Sequence, residues 1–256
     1  MIRLLLLLLP LAGWSATLSE RASNPITNLS QLQLENDYSP QNYGTHDAAN
    51  KGLVKPVIAL DRTNYFPFEQ LIRIKFQIPT LPNSAKTTRG TSLGDTQFFD
   101  LFVLEESWGR WGFGPMAIFP TATKLDAGQG KWQLGPAFGI SILQFTNWQF
   151  GFLAQNPISF AGNSHKRSQN YLLFQPFITY HFSKNSYLKS DAEWTVDWRA
   201  HTRQIPINFG LGHTYIGDLK IDFLLQFQWM VSQNAVRKSG FVNKYTWQLS
   251  ISFLFD

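Results

Sequence analysis

K-Y-T-W-Q-L-S-I-S-F-L-F, residues 244–255, decides how the rest of the chain is read. Tyr245, Trp247, Leu249, Ile251, Phe253 and Phe255 share one parity, with Thr246, Gln248, Ser250 and Ser252 between them. A period of two puts successive side chains on opposite faces of a strand. One face is therefore apolar throughout, and the other carries hydroxyls and an amide. In a soluble sandwich the polar face meets water. In a membrane-spanning barrel the apolar face meets lipid and the polar face the lumen. The other strands choose between the two.

Composition narrows the choice first. The 256 residues include no cysteine, which excludes a disulfide scaffold and thiolate chemistry. Although 44% of residues are hydrophobic, mean hydropathy is −0.16. No apolar run reaches the roughly 18 residues of a spanning helix. The longest apolar stretch is N-terminal, where Arg3 precedes leucines at 4–9 and then P-L-A-G-W-S-A. A positive charge, a short apolar core and small residues describe a secretory signal peptide, so 1–16 is set aside and 17–256 is read as the folded part.

Strand-like runs then follow at 29–35, 52–60, 69–78, 95–105, 110–121, 131–144, 148–156, 171–182, 187–198, 205–215, 218–231 and 244–255. That makes about twelve strands, most near the length of a tilted membrane strand, with ten as the alternative count because the first is short. Their connections alternate. Long ones fall at 36–51, 79–94, 122–130, 157–170, 199–204 and 232–243, and short ones at 61–68, 106–109, 145–147, 183–186 and 216–217. Short periplasmic turns and long external loops produce that alternation in a barrel. Face patterns agree. Leu219, Ile221, Phe223, Leu225, Phe227 and Trp229 oppose Lys220, Asp222, Gln226 and Gln228, and Leu172, Phe174, Ile178, Tyr180 and Phe182 oppose Gln175, Thr179 and His181. Trp132, Trp148, Trp194, Trp198, Trp229 and Trp247 lie near strand ends, where aromatic girdles form. Pro115, Pro136, Pro176 and Pro206 fall inside strands and cannot donate to a ladder, so bulges or interruptions are expected there. The fold class is an all-β, closed antiparallel transmembrane barrel of about twelve strands.

The final strand also resembles the assembly signal of bacterial outer-membrane barrels, with Asp256 a departure because such signals finish on the aromatic. A longer order of motifs carries a family resemblance. It runs L-Q-L-E-N-D at 32–37, K-P-V-I at 55–58, R-I-K-F-Q-I-P at 73–79, L-G-D at 93–95 and F-P-T-A-T at 119–123. G-K-W-Q-L-G-P-A at 130–137, Q-N-P-I-S-F-A-G at 155–162, F-Q-P at 174–176 and Asp197-Trp198 complete it. This order resembles the bacterial outer-membrane transporter-like family named for the MetA pathway of phenol degradation. The resemblance implies an outer-membrane barrel that passes small, aromatic compounds, and it brings no catalytic residues.

The inward parity supplies the candidate site. Lys55, Arg73 and Lys75 form a basic wall on the second and third strands; Asp191, Glu193 and Asp197, with Lys189 beside them, form an acidic wall on the ninth. The third and ninth of twelve strands stand opposite each other. Walls of charge set pore selectivity, so these residues are expected to line a solute path as a mid-lumen constriction. The alternative is that the charges neutralise one another and plug a narrow barrel.

The external loops lean basic, through Lys86, Arg89, Lys124, His165, Lys166, Arg167, Arg199, Arg203, Arg237 and Lys238. They suit lipopolysaccharide phosphates, anionic solutes or plain solvation. No recognition module accompanies them, so nucleic acid is not an expected partner. A lipid-hydrolase reading would pair Ser190 with His213 on the outer surface, without a third orienting residue. His46, His165, His181, His201 and His213 lack metal-ligand spacing. Neither metal nor cofactor is expected. The expected partners are outer-membrane lipid and lipopolysaccharide, a small solute, and the barrel assembly machinery that reads the last strand.

Overall fold

The computed structural model describes residues 16–255. Except for Ala16, the expected signal peptide lies outside them. The elements in chain order are α1 (Leu18–Ser23), β1 (Ser30–Tyr43), β2 (Ala49–Leu60), β3 (Glu69–Leu81), β4 (Gly90–Thr91), β5 (Thr96–Glu106), β6 (Gly109–Phe119) and β7 (Lys131–Phe145). They continue with β8 (Trp148–Gln155), β9 (Ile158–Gly162), β10 (Tyr171–His181), β11 (Ser186–Ser190), β12 (Trp194–Asp197), β13 (Thr202–Ile216), β14 (Lys220–Gln233), α2 (Val236–Ser239) and β15 (Val242–Phe255).

One antiparallel sheet runs β15-β1-β2-β3-β5-β6-β7-β8-β10, continues through β11 and β12 to β13 and β14, and returns to β15. β11 and β12 occupy a single position, since both lie between β10 and β13. The barrel therefore has twelve staves. Closure leaves the sheet without a free edge strand, which is what lets strands stand in hydrocarbon.

The outward parity is the greasy one. Phe223, Leu225, Phe227, Trp229 and Val231 of β14 are exposed, whereas Asp222, Leu224, Gln226 and Met230 are buried. On β15, Trp247, Leu249 and Phe255 face out, and Thr246, Ser250 and Ser252 face in. Register follows this pattern, because a slip of one residue would turn every Phe into the lumen.

Three expectations are corrected. β1 continues to Tyr43 and β2 begins at Ala49, with Ser39 opposite Ala49, so 36–51 is mostly sheet rather than a long loop. The strand persists because Glu35 and Asp37 meet Lys55 and Lys51 on the facing stave. The connection at 198–201 is also tight. Finally, the ninth strand is not continuous. β11 pairs with β10 through Ser190, β12 resumes at Trp194, and 191–193 leave the ladder. The two longest connections remain at the end opposite the termini, at 82–95 and 120–130.

The prolines mark interruptions. Pro176 and Pro206 flank the break in the ninth stave, on β10 and β13, where neither has a partner across the gap. Pro115 sits where the β5–β6 pairing lapses, in unchanged register, between Phe99/Met116 and Phe102/Phe113. Pro136 sits where β7 passes from β8 to β9. A residue without an N–H is tolerated where the ladder has no bond to lose.

The lumen is not wet all round. Residues before β1 turn inside the barrel, with Ser19, Ser23, Ile26 and Leu29 all fully or almost fully buried. α1 opens with a capping box: the Thr17 amide donates to Glu20 Oε2 at 2.7 Å and the Glu20 amide donates to Thr17 Oγ1 at 3.2 Å. The Arg21 side chain donates to Asn28 Oδ1 at 3.0 Å and ties the strap into a loop. Ile26 joins one apolar cluster with Val57, Leu71, Phe99, Leu101, Val103, Met116, Ile118, Ala137, Leu153, Tyr171 and Leu173. Those residues come from β2 through β10. This half of the wall carries an apolar inner patch against the strap, bordered by buried polar residues such as Arg110, Gln133, Ser141 and Thr179.

Candidate functional site: the lumen cavity

Opposite the strap, β11 to β15 and β1 to β3 keep polar residues on the inward parity. Between the strap and this wall lies a cavity of about 310 Å³. Lys55, Arg73, Lys75, Lys189, Asp191 and Glu193 all line it. Asp197 does not. It sits at the loop end of β12, buried, where it accepts from the Ala200 amide at 2.6 Å and from Lys238 of α2. A loop lysine thus closes over a carboxylate expected near mid-strand.

The remaining charges are mostly paired. Lys55 Nζ lies 2.6 Å from Glu35 Oε2, and Lys51 Nζ lies 2.9 Å from Asp37 Oδ2. Lys189 Nζ is 2.9 Å from Asp191 Oδ2. The opposed walls meet at one point, where Lys75 Nζ approaches Glu193 Oε2 at 3.8 Å across the lumen. Arg73 differs. It faces Phe99 in the β3–β5 register, its guanidinium stands 5.0 Å over that ring, and its Nη2 donates to the Pro25 carbonyl at 2.9 Å. The basic stave therefore also holds the strap.

Asp191 shows why the ninth stave breaks. Its amide donates to Asn208 Oδ1 at 2.7 Å, and its Oδ1 accepts from Asn208 Nδ2 at 3.0 Å and from Gln226 Nε2 at 2.8 Å. Its carbonyl accepts from Gln175 Nε2 at 3.0 Å, and Trp194 Nε1 donates to the Pro206 carbonyl at 2.9 Å. Side chains from both flanking strands thus replace the missing backbone bonds. Asp191 and Glu193 belong to an inward-turned break, not to a regular strand.

At the end of the barrel that holds the termini, a second polar group closes the lumen. Tyr187 is fully buried; its hydroxyl donates to Asp222 Oδ2 at 2.6 Å, and Thr214 Oγ1 donates to Asp222 Oδ1 at 2.7 Å. Gly212 makes this possible, because a Cβ there would strike the Tyr187 ring. Ser23 Oγ lies 3.3 Å from His181 Nε2, and Gln149 donates to the Glu20 carbonyl at 3.2 Å, fastening α1 at the same end.

The candidate set read from the sequence lacked Glu35, Asp37, Lys51, Asp222 and the strap. The first two were legible in the continued alternation of L-Q-L-E-N-D-Y. For the strap, the signal was the run Q-F-F-D-L-F-V-L at 97–104, apolar on both parities nearly throughout. Such a strand is covered on both faces.

On the outer surface, Ser186 rather than Ser190 opposes His213, with Oγ 2.8 Å from Nδ1. Ser190 Oγ instead reaches Asn208 Oδ1 at 3.3 Å. The Ser186–His213 pair sits at the terminus-bearing end, and among the described residues no acid is hydrogen-bonded to that histidine. At the opposite end part of the basic rim is engaged within the loops: Arg89 pairs with Asp47 at 3.7 Å, and Arg167 donates to the Arg199 carbonyl. There a second cavity of about 470 Å³ is bounded by Lys86, Asp126, Lys166, Lys238 and Phe241, and Gln97 lines both cavities.

The sequence matches no protein-family model, and no curated protein is a recognisable relative. Solved structures do match. An outer-membrane channel from Pseudomonas putida F1 is similar at TM-score 0.64 and 11% identity, over 89% of this chain and 94% of that one. The NanC porin follows at TM-score 0.56 and 13% identity, over 88% and 99%. The KdgM porin, solved in complex with oligogalacturonate, gives 0.50 and 10%, over 88% and 99%. At these identities the likeness concerns architecture alone, that of a closed antiparallel outer-membrane-type barrel.

Proposed function

We propose that this protein is a passive outer-membrane channel for small solutes, which pass along the polar half of the lumen beside the strap. The observation that carries the reading is the cavity of about 310 Å³ inside a closed barrel, bounded by β11–β15, β1–β3 and the Ala22–Pro25 stretch of the strap. Gln97, shared with the outer cavity, marks the passage between the two. Rings of amides and charges replace a solute's hydration while the paired charges keep the wall near neutrality. The aromatic compounds implied by the family resemblance have a place in this reading, because Phe99 and Tyr187 line the same cavity. The basic loops contact lipopolysaccharide phosphates, and the β15 strand is the segment read by the barrel assembly machinery.

The strap and the Lys75–Glu193 contact favour a second reading, a barrel that is closed at rest and passes little. Purified protein in planar bilayers separates the two. Small, regular conductance steps support the channel, and their absence across a voltage range overturns it. Liposome swelling with solutes of graded size and charge then gives the cut-off.

A further inference from the structure

Every lysine that lines the lumen cavity has a carboxylate beside it: Lys51 has Asp37, Lys55 has Glu35, Lys75 has Glu193 and Lys189 has Asp191. Arg73, in the middle of the same wall, has none. Its one protein hydrogen bond goes to the Pro25 carbonyl, and its buried Nε has no partner among the described residues. A guanidinium offers five donors in a planar fork that matches a carboxylate two bonds at a time. Here that fork stands over the Phe99 ring and is anchored at one corner, so little freedom is left to lose when an anion docks.

Lys75 is two residues along β3 and on the same face. Its pair with Glu193, at 3.8 Å, is the loosest in the cavity, against 2.6 and 2.9 Å for the others. Glu193 is also less committed than its neighbour. Asp191 is gripped by Asn208, Gln226 and Lys189, whereas Glu193 makes one ion pair, with Lys75, among the described residues, its charge reaching Arg73 and Lys51 only at longer range. Gln97 stands opposite Lys75 on β5 and supplies an amide toward the outer cavity. Arg73 and Lys75 are thus a two-cation cradle with one weakly held resident carboxylate.

We infer that Arg73 and Lys75 form a carboxylate-binding subsite in the lumen, that the solute class it takes is a small monocarboxylate, and that Glu193 is the internal group the solute displaces. The inference rests on the channel reading for its place in transport, but binding itself is measured apart from conductance.

The experiment is calorimetric titration of the purified full-length barrel in detergent at low salt, with benzoate as probe and benzamide as its neutral isostere. Benzoate binds saturably and benzamide at least tenfold more weakly. Arg73→Gln weakens benzoate at least tenfold and Lys75→Gln about fivefold, whereas Glu193→Gln tightens it several-fold because the competitor is gone. A merely structural arginine would not give that opposite sign. Equal binding of benzoate and benzamide, or weaker binding in Glu193→Gln, overturns the subsite. Folding is checked by heat-modifiable mobility on gels, and if Arg73→Gln fails to fold, the opposed shifts of Lys75→Gln and Glu193→Gln decide. Bilayer conductance without benzoate discrimination leaves the channel and removes the subsite; discrimination without conductance does the reverse.

Discussion

The two halves of the barrel wall share one outward face and differ in the inward one. From β5 to β10 the inner surface is centred on an apolar patch of Phe99, Leu101, Val103, Met116, Ala137, Leu153 and Leu173, sealed by Ile26 of the strap, with Arg110, Gln133, Gln149 and Thr179 above and below it. From β11 round to β3 it is glutamine, asparagine and paired charge, and it borders open space. The difference teaches what a barrel interior needs. An apolar inner wall would be wetted at a cost of about 25 cal/mol per Å², so it recruits a piece of its own chain. A polar wall is content with water, provided its charges find partners. The strap therefore lies where the wall excludes water, and the passage lies where it does not.

The strongest way to break this contrast is to remove the strap. Deleting 17–27 uncovers the apolar half, and single-channel conductance should rise several-fold; an unchanged conductance would show that the strap does not limit the passage. Next in size is Asp191→Ala. It strips Lys189, Asn208 and Gln226 of their common partner, and leaving a buried charge unpaired costs about 3–5 kcal/mol. Urea unfolding in micelles reads that loss, which should exceed the loss for Leu101→Ala, about 2–4 kcal/mol from the cavity left in the apolar half. The reverse order would mean that the polar half does not depend on its hydrogen-bonded break.

Gly139→Val sharpens the comparison. A Cβ at that position would stand 2.6 Å from Ile26 Cδ1, so the strap must shift, at about 1–3 kcal/mol. Conductance should move in the same direction as in the deletion, by less. Smallest is the Lys75–Glu193 coupling. Both side chains are partly exposed and 3.8 Å apart, and a double-mutant cycle should return about 0.2–1 kcal/mol. A larger value would make that contact a structural clamp rather than a displaceable pair.

Much of the fold was legible residue by residue. The alternation in 218–231 and 244–255 placed Phe223, Phe227 and Trp247 outside and Asp222, Gln226 and Ser250 inside, as the structure has them. The stretch 36–51 misled because Asn36, Asp37, Ser39 and Pro40 look like loop residues. Only their pairing with β15 and β2 makes them strand, since tertiary context overrides weak strand propensity. Of the candidate site, Lys55, Arg73, Lys75, Lys189, Asp191 and Glu193 were brought to one cavity, while Asp197 was claimed by Lys238 of α2. No spacing announces that contact, for the two residues are 41 positions apart.

By itself the sequence determined which side of each strand faces lipid. That choice is local: in an extended chain the direction of a side chain depends on its own parity alone, and lipid accepts any greasy residue without asking for a partner. Tertiary structure alone decided what meets what inside the barrel. The seat of Ile26 over Gly139, the three residues at 191–193 that leave the sheet, and the approach of Lys75 to Glu193 join segments tens of residues or more apart. Closure of the sheet, rather than any local preference, brings those surfaces within reach of one another.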